Sequence, residues 1–102
     1  MVARISLSPQ DMSAFCRRHR IRRLAFFGSV LRDDFTPQSD VDVLVEFEPE
    51  ADRRLTYFQL GRIQLEMEQL LGRRVELSLA NALDQSVCDE ILQTAEVQYD
   101  TA

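Results

Sequence analysis

Two short groups of residues hold the side chains that a nucleoside triphosphate site requires. Gly28 and Ser29 form the first group, and after a gap of ten residues Asp40 and Asp42 form the second. Glycine lets the backbone approach a phosphate closely, and the Ser29 hydroxyl and the free N–H groups of a following helix can donate hydrogen bonds to phosphate oxygens. Carboxylates are the hard oxygen ligands that Mg²⁺ prefers. The two groups together predict a metal-dependent site for attack on a triphosphate.

The residues around the two aspartates alternate between apolar and polar, which is typical of a β-strand. One face of residues 40–47 carries Val41, Val43, Val45 and Phe47, and the other carries Asp40, Asp42, Leu44 and Glu46. Both aspartates therefore project to one side, which we expect to be open, and can converge on divalent cations. Two such ions about 3.5 to 4 Å apart would stabilise the attacking and leaving oxygens of an in-line displacement. The alternative is that both aspartates are solvated charges on an exposed strand face.

A third carboxylate follows from the same kind of pattern further along the chain. Residues 74–79 alternate as another strand, with Val75 and Leu77 inward and Glu76 on the opposite face. Glu76 has the same relation to its apolar neighbours as the aspartates have to their valines. Glu76 is therefore a third candidate site residue, and an ordinary exposed strand glutamate is the alternative.

The remaining pattern predicts the elements that position these residues. In chain order they are a helix over residues 9–19, a strand over 24–27, a short helix after Ser29, a strand over 40–47, a helix over 54–71, a strand over 74–79 and a helix over 84–95. Ser8 is the expected N-cap of the first helix, and Gly72 is placed to end the helix before the last strand. This order predicts an α/β (α+β) fold, in which a small mixed sheet carries helices packed on one face.

Length and composition are those of a small globular protein. The chain has 102 residues, of which 45% are apolar and 28% charged, so we expect one domain over residues 1–102. No apolar run is long enough to cross a bilayer, and the net charge of −5 disfavours direct binding to nucleic acid. The chain start lacks the apolar segment of a secretory signal. Cys16 and Cys88 are isolated thiols outside any Cys-x-x-Cys motif, which is typical of buried cysteines in a reducing compartment. We therefore expect a cytoplasmic protein.

Residues 17–23 are a local exception to the acidic charge, because they contain five arginines and His19. Cations at the end of a helix complement its dipole, and this is the simplest interpretation. Contact with an acidic partner surface or with nucleotide phosphates is the alternative. His19 is the only histidine, and at a helix end among arginines we expect it to be structural rather than catalytic.

These residues together resemble the minimal nucleotidyltransferase (MNT) family of the DNA polymerase β superfamily. The chain is most similar to the MntA-like antitoxins of that family, which are encoded beside HEPN-domain toxins. The resemblance is strongest over residues 28–32 and 39–47 and extends over nearly the whole chain. It implies a nucleotidyltransferase domain with the corresponding fold.

The resemblance also implies roles for the candidate site residues. ATP would be bound through Gly28 and Ser29, and Mg²⁺, as two ions, would be held by Asp40 and Asp42. Glu76 corresponds to the third carboxylate of the superfamily, which binds one metal ion and helps to deprotonate the attacking hydroxyl.

At two positions this chain departs from the family pattern in a way that affects how active the site is expected to be. Most relatives have aspartate where this chain has Glu76, and glutamate is longer by one methylene. Many relatives have glycine at the position of Asp33, whose charge could lower nucleotide affinity. Arg32 is a further candidate nucleotide contact, because guanidinium pairs well with phosphate, and Ser39, immediately before Asp40, is another. An exposed helix residue is the alternative for Arg32.

By this resemblance the leading hypothesis is Mg²⁺-dependent transfer of AMP from ATP to a tyrosine hydroxyl of a cognate HEPN ribonuclease toxin, which silences the toxin. At this length the partner protein would supply most of the acceptor-binding surface. One alternative is a catalytically weak or inactive antitoxin that acts by binding alone. Another is a nucleotidyltransferase that acts on a small molecule.

Overall fold

Four β-strands and four α-helices make up the part of the chain that the structure describes, residues 8–28 and 39–101 of a computed structural model. In chain order they are α1 (Pro9–Arg18), β1 (Ile21–Phe27), β2 (Val41–Phe47), α2 (Pro49–Arg53), α3 (Tyr57–Leu71), β3 (Val75–Leu79), α4 (Gln85–Thr94) and β4 (Glu96–Asp100). Within these ranges no helix is both long and apolar enough to cross a membrane. The short helix predicted after Ser29 falls outside the described residues.

The four strands form one mixed sheet in the order β3-β2-β1-β4. β1 runs antiparallel to both β2 and β4, whereas β2 and β3 are parallel. Parallel neighbours require a crossover connection, and the chain supplies it with α2 and α3. The sheet therefore brings the end of β1 and the starts of β2 and β3 to one edge. The predicted α+β fold with a small mixed sheet is confirmed.

The valine face of β2 and the matching face of β1 form the main core. Its fully buried members include Phe15 of α1, Phe26 of β1, Val43 of β2 and Met67 of α3. Helices α1 and α3 thus pack against the same face of the sheet, as predicted, but α4 does not join them, so the prediction of helices on one face only is wrong for α4. Cys16 is also in this cluster, and burial raises the pKa of its thiol to about 12, so the thiol behaves as a small apolar group.

A second, smaller buried group covers part of the opposite face. Leu44 lies on the aspartate side of β2 but is only 2% exposed, and Ala25, its Cα partner on β1, is fully buried. The helix α4 contacts β1 and contributes the buried Cys88. The expectation of an open aspartate face is therefore wrong from Leu44 onward, and only the start of β2 is left uncovered.

The helix predicted over residues 54–71 is α3, which begins three residues later than predicted, and α2 is an additional short helix before it that the pattern does not predict. α2 ends at Arg53, and α3 begins after Thr56, whose side chain accepts a hydrogen bond from the backbone N–H of Gln59 while the Gln59 side chain accepts one from the backbone N–H of Thr56. This reciprocal capping box fixes the start of α3. Gly72 ends the helix as predicted, with a left-handed φ of 69°.

The C-terminal segment, for which the sequence pattern predicts no element, forms the edge strand β4. Leu24 and Tyr99 are Cα partners across β1 and β4, and the Tyr99 side chain packs against the core. The predicted order of elements is therefore incomplete by one strand. Strand pairing between segments more than 70 residues apart leaves little trace in local sequence pattern.

Candidate active site

Asp42 lies at the centre of the edge where three strands meet. Its Cα partner on the antiparallel strand β1 is Phe27, the last residue of that strand, and its Cα partner on the parallel strand β3 is Glu76. In-register neighbours of a pleated sheet project to the same side. The topology thus brings Gly28, Asp42 and Glu76, which are far apart in sequence, to one edge.

Gly28 fits directly against the Asp42 carboxylate. Its φ of 75° is left-handed, a conformation that glycine adopts without steric cost. A Cβ at this position would lie 2.3 Å from Asp42 Oδ2, far inside van der Waals contact. Glycine is therefore favoured here by its left-handed φ and by the close approach of a carboxylate, in addition to the approach of a phosphate that the sequence suggests.

Asp40 precedes the first residue of β2 and pairs with an arginine that sequence analysis did not select. The Nε of Arg74 lies 3.2 Å from Asp40 Oδ1, and both side chains are largely exposed. The pairing follows from the backbone, because the N–H of Val41 donates to the carbonyl of Arg74 at 2.9 Å where β2 and β3 begin. The only sequence signal for Arg74 was its place immediately before the Glu76 strand.

The carboxylates at this edge fit a hard divalent cation, although they do not enclose one. Asp40 and Asp42 offer oxygen ligands, and Mg²⁺ commonly uses one or two carboxylates and completes its shell with water and substrate phosphates. Among residues 8–28 and 39–101 no group of three or more acidic, histidine or cysteine side chains is close enough to hold a metal ion. Glu76, which is exposed beside Asp42, therefore stays a predicted third ligand.

The predicted phosphate-binding residues fall only partly within the described ranges. Ser29 and Arg32, together with the acidic residue Asp33, lie outside the described residues. Ser39 is described and half-buried at the bend before Asp40. The roles assigned to these residues remain predictions.

The arginine-rich segment lies at the other end of the sheet. Ile21, at the start of β1, pairs with Phe47, at the end of β2, and a strand of seven residues is about 20 Å long. Most of this segment is therefore far from the Asp42 edge. Its nearest members, Arg22 and Arg23, pair with Glu46, so the structure does not support contact of the segment with phosphates at that edge. A cavity of about 310 Å³ lined by Arg18, His19 and Phe47 also lies at this far end, so it is not the candidate site.

His19 has a structural environment, as expected. Its Nε2 lies 2.6 Å from Glu66 Oε2, its ring packs edge-on against Phe15, and Arg18 donates a hydrogen bond to the other oxygen of Glu66 at 2.6 Å. Desolvation raises the pKa of Glu66, but the hydrogen bonds and charges of His19 and Arg18 outweigh it, so the pKa lies below the ordinary value. This cluster ties α1 to α3.

Known proteins share this fold and much of the sequence. The family model for nucleotidyltransferase domains matches residues 12–97. The protein adenylyltransferase MntA of Thermococcus cleftensis is 35% identical over 82 residues, which are 80% of this chain and 77% of the relative.

Two solved structures extend the comparison. A protein provisionally described as a minimal nucleotidyltransferase superimposes with a TM-score of 0.69 at 32% identity, over 85% of both chains. A structure described as a tri-AMPylated HEPN toxin of Shewanella oneidensis in complex with its MNT antitoxin has a TM-score of 0.64 at 15% identity, over 91% of this chain and 70% of the other. At that identity the second structure supports the fold alone.

Proposed function

Because this chain belongs to the nucleotidyltransferase domain family, we propose that it transfers AMP from ATP to a hydroxyl group of a partner protein. The hydroxyl oxygen attacks the α-phosphorus, the bond from that phosphorus to the bridging oxygen breaks, and pyrophosphate leaves. The observation that carries the proposal is the contact of Gly28 with the Asp42 carboxylate at the edge where β1 ends and β2 begins.

Each residue at this edge has a chemical task in the proposal. Asp40 and Asp42 would hold Mg²⁺, which when bound neutralises charge on the triphosphate. Gly28 keeps the Asp42 carboxylate unobstructed, because any larger residue would displace it. Glu76, the Cα partner of Asp42, accepts the proton of the attacking hydroxyl. Ser29, Arg32 and Ser39 are the proposed nucleotide contacts.

The proposed acceptor is a tyrosine of a HEPN-domain toxin, and adenylylation of that tyrosine would neutralise the toxin. The acceptor class is taken from the relative in Thermococcus cleftensis, which is named a protein adenylyltransferase. The HEPN toxin is taken from the description of the Shewanella oneidensis structure, which shares the fold. A cytoplasmic location and a single domain over residues 1–102 belong to the same proposal.

The test is the intact mass of the product of the neighbouring gene, which under this proposal is a HEPN-domain toxin, measured after incubation with the chain, ATP and Mg²⁺. We expect the mass to rise by whole adenylyl groups, and we expect peptide mapping to find them on tyrosine. The variant Asp40→Asn/Asp42→Asn should leave the mass unchanged. Asp84→Asn is the matched control, because Asp84 is exposed at the start of α4 and its side chain caps nothing.

Two results would count against the proposal. An unmodified toxin in the presence of the wild-type chain rejects transfer to this partner. A double variant that neutralises the toxin as well as the wild-type chain does would show that binding, rather than catalysis, is what silences it.

A further inference from the structure

The outer face of α3 carries apolar side chains that the fold does not bury. Phe58 is 82% exposed and Leu65 is 62% exposed. Their spacing of seven residues places them on one side of the helix, two turns apart. The buried residues of α3, Ile63 and Met67, are on the opposite side. The exposed pair therefore forms a separate apolar stripe and is not an extension of the core.

Gly61 lies between these two side chains and is itself exposed. A Cβ at Gly61 would meet nothing within 4 Å, and α3 is regular at this point. Neither packing within the chain nor a turn requires glycine here, although glycine in a helix interior costs about 0.5 to 1 kcal/mol relative to alanine. A missing side chain on an outer face allows another helix to approach the backbone of α3 closely.

The same face has an uncompensated positive charge. Arg62 is exposed and forms no ion pair with any acidic residue in the described ranges of the chain. The nearest acidic residues of α3 are engaged elsewhere: Glu66 binds Arg18 and His19, and Glu68 accepts a hydrogen bond from the Val75 backbone N–H at 3.0 Å.

We propose that the outer face of α3, made of Phe58, Gly61, Arg62 and Leu65, is the surface on which the partner protein docks. The matching element is a partner helix with an apolar stripe and an acidic side chain opposite Arg62. Charge selects this occupant over a second copy of the chain, because a two-fold axis near Gly61 would bring the two Arg62 side chains together. The inference rests on the proposed function for the identity of the partner.

This docking face leaves the catalytic edge accessible. α3 leads into β3, whose first residue Val75 pairs with Val41 at that edge. The helix continues for six residues from Leu65 to its end at Leu71, which is about 9 Å. Because α3 packs on the valine face and Asp42 projects from the opposite face, a partner held on the outer face of α3 leaves the Asp42 carboxylate uncovered. Its acceptor segment must extend past the start of β3 to reach that carboxylate.

The experiment measures the dissociation constant of the chain with the HEPN-domain toxin by isothermal titration calorimetry, without ATP. For Phe58→Ser/Leu65→Ser we expect binding weaker by about tenfold or more. Val97→Ser is the control, because Val97 is also an exposed apolar residue, at 48%, but lies on β4. We expect the control to bind like the wild-type chain.

Gly61→Ala gives a second readout in which a docking role and a structural role differ. Alanine should raise the melting temperature of the isolated chain in either case, because it favours the helix. Only if a partner helix packs at this point does the same variant bind the toxin more weakly.

The outcomes separate this inference from the proposed function. Unchanged affinity in both α3 variants overturns the docking face and leaves adenylylation intact. If the wild-type chain binds the toxin and the α3 variants do not, but the wild-type chain transfers no AMP, the docking face is supported and the catalytic proposal is rejected. Absence of binding by the wild-type chain rejects both. A dimer of the isolated chain that the α3 variants abolish in sedimentation assigns the face to a second copy and overturns the proposed partner.

Discussion

Replacing Gly28 with alanine tests whether the Asp42 carboxylate must lie where it does. The new Cβ would be 2.3 Å from Asp42 Oδ2 and 3.3 Å from Asp42 Cγ. Non-bonded heavy atoms are most stable at about 3.5 Å or more, so the oxygen must move by roughly 1 Å. The aspartate side chain is flexible enough to do so, and the displacement should therefore change catalysis more than folding.

The substitution has two separable effects. Alanine in a left-handed conformation costs about 1 to 2 kcal/mol of folding stability, and each kcal/mol lowers the melting temperature of a domain of this size by about 4 to 8 °C. A misplacement of about 1 Å at a reacting site can reduce the rate by about 100-fold. We expect Gly28→Ala to show both effects.

Gly72→Ala is the matched control. Gly72 has nearly the same φ, 69° against 75°, but a Cβ there meets nothing within 4 Å. We expect a similar loss of stability with activity unchanged. Circular dichroism gives the melting temperatures, and the initial rate of AMP transfer to the toxin, measured well below the melting temperature of both variants, gives the activity.

One result would refute the reasoning on Gly28. If Gly28→Ala and Gly72→Ala lose similar stability and retain the same kcat/KM, the position of the Asp42 carboxylate does not limit catalysis. The candidate site would then have to be sought away from the β1–β2 edge.

Two further predictions concern stability. The lowered pKa of Glu66 means that the charged group stabilises the fold above its unfolded pKa, ordinarily about 4.3, and that this contribution is lost as the pH falls through the folded value. Glu66→Gln should therefore lower the free energy of unfolding by about 1 kcal/mol near pH 6. Urea denaturation should show that the difference between this variant and the wild-type chain becomes smaller in acid. A difference that does not depend on pH would contradict the stabilising role of the charged Glu66. Tyr99→Ala should lower the free energy of unfolding by about 2 kcal/mol, because Tyr99 packs against the core. Val97→Ala should lower it much less, because Val97 is more exposed. Equal losses for the two variants in urea denaturation would show that β4 is frayed.

Local signals predicted most of the elements. Ser8 caps α1, Gly72 ends α3, and the alternation of residues 41–47 forms β2. The start of α3 at Tyr57, three residues later than predicted, also has a local signal, the capping box of Thr56 and Gln59, which the apolar periodicity across residues 54–71 does not reveal. Each of these features depends on contacts between residues a few positions apart, so the local sequence is enough to predict it.

Such local signals do not predict which strands pair across the sheet. β4 was missed because its hydrogen-bonding partner, β1, lies some 70 residues earlier, and the burial of Leu44 was missed because it depends on what covers the second face of the sheet. Arg74 was missed because only the parallel pairing of β2 and β3 brings it to Asp40.

Gly28-Ser29 and Asp40-Val41-Asp42 carried the resemblance that indicated the family and the chemistry to expect, since residue types and strand alternation are properties of the chain. Only the tertiary structure decided which of these residues meet. The antiparallel register that pairs Phe27 with Asp42 brings Gly28 against the carboxylate, and the parallel register adds Glu76 beside it. Register is set by packing of the whole sheet against α1 and α3, because a shift of one residue would turn the core valines toward solvent.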